Sequence, residues 1–288
     1  MKSAANFIDR HAKWIFPLPA LLAMLLLIVA PIAANVVLSA YNYFIGTAPS
    51  FVGFGNFREA FSDARTWNGL RLTFYFTFLA VPIQLVLGLA IALLFNREFP
   101  GKGLVRTITL LPMVATPVAI ALIWALMFNP NLGVLNAFLE ALGLPRSLWV
   151  ADNHLVIPSL VLVDVWEWTP FVALILLAAL QGVSQEYYEA ARIDGASSLQ
   201  NFWHITLPSI RSAVIVALIL RSIDALKTFD IIYVITQGGP GIASETLNVY
   251  AFKTGFEFFR AGYAATLLIL LMFVVLGVSI IFNLLRRR

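Results

Sequence analysis

In 288 residues the apolar fraction is 60% and only 12% of residues are charged, which excludes an ordinary soluble domain, where about a quarter carry charge. Cysteine is absent, so disulfides and thiol chemistry are excluded, and His11, His154 and His204 are too dispersed for an HExxH-type metal site. The net charge of +4 is not gathered into one basic stripe, so nucleic acid is not indicated as a partner.

The composition predicts an all-α polytopic membrane protein. Residues 1–13, with Lys2, Arg10 and Lys13, form a polar tail, and Trp14 opens an apolar run to about residue 41. This run is longer than the 7–15 residues of a signal-peptide core and predicts a retained first span, distorted by Pro17, Pro19 and Pro31. Residues 42–70 are turn-rich, with a short amphipathic piece around Arg58 to Phe61. A second span is predicted over 71–95. The following loop contains Gly101-Lys102-Gly103, but a phosphate-binding loop requires Gly at 96 and Ser or Thr at 103, so no nucleotide site is predicted.

A third span is predicted over 104–128, kinked at Pro112 and Pro117, then a polar loop with a short interfacial helix from Val134 to Leu142, and a fourth span over 155–180. Residues 184–208 form the one long polar interval on that side. Ser184 reads as an N-cap with Glu186 in the first turn, Gly195 stops the run, and Ser197 with Gln200 has capping-box spacing for a second helix closed by Pro208. A fifth span is predicted over 209–235 and a sixth over 263–285. The spans and hairpin together make one six-span transmembrane domain, residues 14–285. The termini, the 96–106 loop and the hairpin through Arg211 hold eleven Lys and Arg; the opposite loops hold six and the fifth span two. The positive-inside bias therefore predicts both termini and the hairpin on the cytoplasmic face.

Within the fifth span, Arg221, Asp224, Lys227 and Asp230 recur every three residues and predict a drifting column on one side of a helix. Four charges at roughly +3 kcal/mol each exclude a lipid-facing position. They either neutralise one another within the bundle or border a water-filled path. In the fourth span, Asp164, Trp166, Glu167 and Trp168 place indoles beside carboxylates, a combination suited to sugar rings, since C–H faces stack on indole while hydroxyls reach charged acceptors. Packing is the competing role for the tryptophans, and Asp164 and Glu167 are equally placed to balance Arg221 or Lys227. Trp166, Trp168, Asp224, Lys227 and Asp230 are the candidate substrate-path residues.

Glu189-Ala190-Ala191, Gly195 after three intervening residues, and Ile205-Thr206-Leu207-Pro208 after a nine-residue gap match the EAA signature of permease subunits of ATP-binding-cassette importers. The flanking Ala191-Arg192-Ile193-Asp194-Gly195-Ala196 and the stretch from Thr228 to Pro240 resemble the carbohydrate-uptake branch, the maltose and glycerol-phosphate permeases. The resemblance implies a type I importer permease of six transmembrane helices in a bacterial or archaeal inner membrane. It implies a heterodimer with a second homologous permease, a separate ATPase dimer that binds ATP and Mg, an extracytoplasmic solute-binding protein, and a sugar, oligosaccharide or polyol as solute. No cofactor and no catalysis are expected on this chain. Coupling to the ATPase is implied for Glu189, Ala190, Ala191, Asp194, Gly195, Ile205, Leu207 and Pro208, with Glu189 as the anionic contact; Arg192 and Asp194 serve equally as internal braces. The residues alone leave an ion-coupled secondary transporter, using the intramembrane Asp and Lys, as the alternative. An intramembrane hydrolase lacks a nucleophile, base or metal constellation.

Overall fold

A computed structural model describes residues 16–286. The predicted tail 1–13, Trp14, and Arg287 and Arg288 lie outside the described residues. Two compact units are formed, one by Ala251–Leu270 with the described residues up to Asp63, the other by Ala64–Tyr250 with those from Leu271 on.

In the first unit, helix α1 (Leu18–Ser39) begins just after Pro17, and Pro19 sits in its first turn, where a missing N–H is harmless. Pro31 is accommodated by a π turn over Leu25–Val29. A two-residue antiparallel pair, β1 (Tyr41–Asn42) with β2 (Ser50–Phe51), leads into α2 (Gly55–Ser62). Buried Asn56 donates to the carbonyls of Ser39 and Tyr41, fixing the chain where α1 ends. Arg260 pairs with both oxygens of Glu59 at 2.7 and 2.8 Å and lies over the Tyr263 ring, whose hydroxyl donates to Asp63.

The second unit is built on α3 (Ala64–Phe95) and α7 (Val156–Gln181), the element pair in most extensive contact. Two-thirds of the most apolar stretch of α7 is buried, so this helix is the centre of the bundle. Gly88 of α3 permits the close approach: a Cβ there would lie 2.6 Å from Val172 Cγ1 of α7. Replacing Gly88 with leucine is expected to destabilise the bundle by about 1–3 kcal/mol through overpacking. Thermal unfolding of the purified protein checks this, with Val172→Ala in the same chain expected to restore part of the loss.

The third predicted span is not one helix. It consists of α4 (Lys102–Leu110), a 3-10 turn at Pro112–Val114, and α5 (Pro117–Met127). Pro117 forces Thr116 into an extended conformation, φ −71° and ψ 138°, and so separates the pieces where only kinks were expected. The loop beyond holds α6 (Val134–Ala141) and is organised by buried Asn136, which bonds the carbonyls of Pro130 and Ser147 and accepts from the Trp149 indole. Asp152 then caps the entry to α7 by accepting from the backbone N–H groups of His154 and Leu155, which hold its carboxyl below the usual range.

After α7 come α8 (Gln185–Ile193) and α9 (Ser198–Ser209) of the hairpin, α10 (Arg211–Leu226), α11 (Asp230–Thr236) and α12 (Leu247–Phe252). The last helix, α13 (Ala261–Arg286), is again long and apolar. Among the described residues, four helices are each long and apolar enough to cross a membrane, and the chain bends by 64° between α9 and the run Arg211–Thr236. Two apolar clusters fill the second unit. One gathers Phe76, Leu160 and Ile232; the other, nearer the hairpin, gathers Phe95, Leu176 and Ile210.

Candidate functional site

The hairpin at 184–208 is defined by its caps. Ser184 Oγ accepts from the Glu186 N–H, and Glu186 and Arg192 lie at the α8 ends that suit their charges. Its exit is a Schellman turn: the N–H of Ala196 reaches the Ala191 carbonyl at 2.9 Å and that of Gly195 the Arg192 carbonyl at 3.1 Å. Gly195 sits at φ +75° with open space around it, so backbone conformation rather than packing selects glycine. Ser197 and Gln200 make both bonds of a capping box. The Tyr188 hydroxyl meets Thr206 Oγ1 at 3.1 Å and links the two helices.

Of the predicted coupling residues, Glu189, Ala190, Asp194, Gly195 and Pro208 are exposed, while Ala191, Ile205 and Leu207 are half-buried. Arg192 and Asp194 make no side-chain bond among the described residues and so do not brace the hairpin internally. Sequence reasoning missed the apolar side chains presented beside Glu189. Ile193 is 87% exposed, and Tyr187, Leu199 and Trp203 are also largely uncovered. Their signal was in the chain, as large apolar residues set among the charged and polar ones of this interval.

A second cluster lies between the two apolar cores. Arg221 of α10 donates from Nε to Gln84 Oε1 at 2.9 Å and from Nη2 to Asp164 Oδ2 at 3.0 Å, and Gln84 Nε2 donates to the same Asp164 oxygen at 2.6 Å. All three are at most 1% exposed. The guanidinium also lies 5.0 Å from the Trp168 ring centroid. Three helices are thus pinned through one cation. Asp164, not Glu167, balances Arg221; Glu167 is equally buried, and its Oε2 has no hydrogen-bond partner among the described residues.

The predicted charge column is not continuous. Helix α10 ends at Leu226, and Lys227, Thr228 and Phe229 form a break before α11 restarts at Asp230. The Lys227 carbonyl freed by the break accepts from Asn248 Nδ2 at 2.7 Å. Asp224 pairs with Lys227 at 3.0 Å and approaches Arg221 at 3.9 Å. Irregular backbone at membrane depth is tolerated where it borders a cavity, and a cavity of about 260 Å³ lies here. Asp164, Trp168, Arg221, Asp224, Lys227 and Asp230 line it. The structure therefore brings together Trp168, Asp224, Lys227 and Asp230 but not Trp166. Two residues apart on a helix point about 200° apart. Trp166 packs edge-on against Trp124 and faces a separate apolar cavity with Leu87 and Ile108.

Residues 84–288 match the family of binding-protein-dependent transport system inner membrane components. The chain belongs to that family. This inner membrane component is 38% identical over 277 residues to the trehalose/maltose transport system permease protein MalF of Thermococcus litoralis, covering 95% of this chain and 93% of that protein. It is 34% identical over 277 residues to the sulfoquinovosyl glycerol transport system permease protein SmoG of Agrobacterium fabrum, covering 95% of this chain and 90% of that protein. A solved bacterial alginate ABC transporter, in complex with alginate pentasaccharide-bound periplasmic protein, contains a chain that superposes with a TM-score of 0.86 at 22% identity, over 98% of this chain and 96% of that one. At that identity the likeness is one of fold, that of a type I importer permease. This inner membrane component is a multi-pass transport subunit, not an enzyme. Membership sets aside both the ion-coupled carrier and the intramembrane hydrolase.

Proposed function

We propose that the chain forms half of the translocation path of an ATP-driven importer for a neutral sugar, oligosaccharide or polyol. It pairs with a second homologous permease, receives solute from an extracytoplasmic binding protein, and docks its 184–208 hairpin into a separate ATPase dimer that binds ATP and Mg. Both termini lie on the cytoplasmic face with the hairpin, on the side where Lys and Arg concentrate. The six spans and the hairpin make one permease domain. Movement of the docked hairpin passes into α7 and α10, the helices it joins, and alternates access to the cavity between them.

The observation that carries this reading is the cavity at the α10–α11 break. It offers an indole face at Trp168 beside donors and acceptors at Lys227, Asp224 and Asp230. Three carboxylates, Asp164, Asp224 and Asp230, face two cations, Arg221 and Lys227, on its walls, a balance that disfavours an anionic solute. The relatives named for trehalose, maltose and other glycosides support the carbohydrate class.

Uptake by the reconstituted transporter, with its binding protein supplied and trehalose or maltose as the first solutes, tests the reading. Trp168→Ala is expected to lower uptake about tenfold, the loss of roughly 1–1.5 kcal/mol of stacking. Trp166→Ala is expected to leave uptake near the parent level. Equal effects of the two substitutions would remove the cavity from the path.

A further inference from the structure

At the end of α3 and α7 opposite the hairpin lies another cavity, of about 530 Å³, distinct from the one at the α10–α11 break. Its polar lining comes from Asn68 and Arg71 on α3 and from Asn153 and His154 at the entry to α7. The Asn68 amide is committed to the Ile242 carbonyl at 3.2 Å. Arg71, Asn153 and the His154 ring, by contrast, make no side-chain hydrogen bond or ion pair among the described residues. The nearest acid in sequence, Asp152, has its carboxylate turned to the N–H groups of His154 and Leu155. One unpaired cation and two unused polar side chains therefore converge on a space floored by Leu72 and Ile157, with Tyr75 exposed at its side.

The depth of this cavity follows from helix length. Helix α3 has 32 residues and is about 48 Å long, well beyond the roughly 30 Å of bilayer hydrocarbon. About twenty residues counted back from Phe95 reach Phe76. Arg71 then stands about 7 Å further out, at headgroup level. A fixed guanidinium, hydrogen-bonding side chains and an apolar floor at that level match one chemistry, a phosphodiester whose acyl chains continue along the apolar helix faces.

We propose that this cavity is a binding site for the headgroup of a membrane phospholipid, with Arg71 pairing to the phosphate and His154 and Asn153 hydrogen-bonding its remaining oxygens. The site is independent of the solute path. Arg71 is exposed, so its substitution leaves the bundle core untouched.

The whole transporter, purified with its partner subunits, is stripped of lipid in detergent and titrated with phosphatidylglycerol, and bound lipid is counted by mass spectrometry. Wild type is expected to hold about one more phospholipid per copy of this chain than Arg71→Gln, with Arg71→Lys intermediate and His154→Ala weakened. Thermal unfolding of each variant, unchanged without lipid, separates lost binding from lost folding. Equal retention by wild type and Arg71→Gln overturns the proposal. Displacement of the lipid by a large excess of inorganic phosphate also overturns it, marking a free-oxyanion site, as does displacement by the transported sugar, marking a vestibule of the solute path.

Discussion

Replacing Arg221 with alanine is expected to destabilise the protein by about 3–5 kcal/mol, the cost of leaving one partner of a buried ion pair alone. In the native structure Asp164 takes a bond from Arg221 at 3.0 Å and from Gln84 at 2.6 Å, and it is 1% exposed. Without the guanidinium, Asp164 keeps one amide donor in a low-dielectric interior, and Gln84 Oε1 loses its donor. The double substitution Asp164→Asn with Arg221→Met is expected to recover most of the stability, since removing both charges removes the desolvation cost with them. The thermal midpoint of the purified transporter measures both. A double variant as unstable as the single would show that the cost arises from packing around Arg221, such as its contact with Trp168.

Reversing the charge at Glu189 is expected to uncouple the transporter. A like-charge contact or a lost interfacial pair costs roughly 2–5 kcal/mol, so Glu189→Lys should reduce binding-protein-stimulated ATPase activity by more than tenfold. The fold should survive, because Glu189 is exposed and carries no cap of α8. Ile193→Asp is expected to have a comparable effect through the loss of an apolar anchor that is 87% exposed in this chain. Normal solute uptake by both variants would remove the hairpin from the docking surface.

Much of the architecture was legible because the bilayer imposes long apolar runs, and hydropathy alone locates α1, α3, α7 and α13. The hairpin was legible for a different reason. Ser184, Gly195, Ser197 and Gln200 act through their own backbone neighbourhood, so their meaning does not depend on the rest of the fold.

What was not legible depended on tertiary partners. Gln84 is an amide set in the long apolar stretch of α3, and nothing in sequence says that it meets residues 80 and 137 positions away. The break after Leu226 was hidden for the same reason. A three-residue spacing of charges reads as a continuous helix unless Asn248 is known to take the Lys227 carbonyl. Trp166 stands apart from the other candidates for a different reason, since a spacing of two from Trp168 on a helix already forbids a shared face.

Helix α10 cannot enter the bilayer cheaply by itself, because Arg221 and Asp224 each oppose insertion by roughly 3 kcal/mol. Chain order resolves this, as α3 and α7 emerge from the ribosome earlier and bring Gln84 and Asp164 with them. The cation thus arrives at acceptors already in the membrane, and the last helices follow a bundle that has begun to form. Biogenesis of this protein is therefore expected to be sequential, with α10 retained at the site of insertion until α3 and α7 have associated. Glycosylation-site mapping of truncated nascent chains reads that order directly, and loss of Asp164 should delay the insertion of α10 while leaving α1 unaffected.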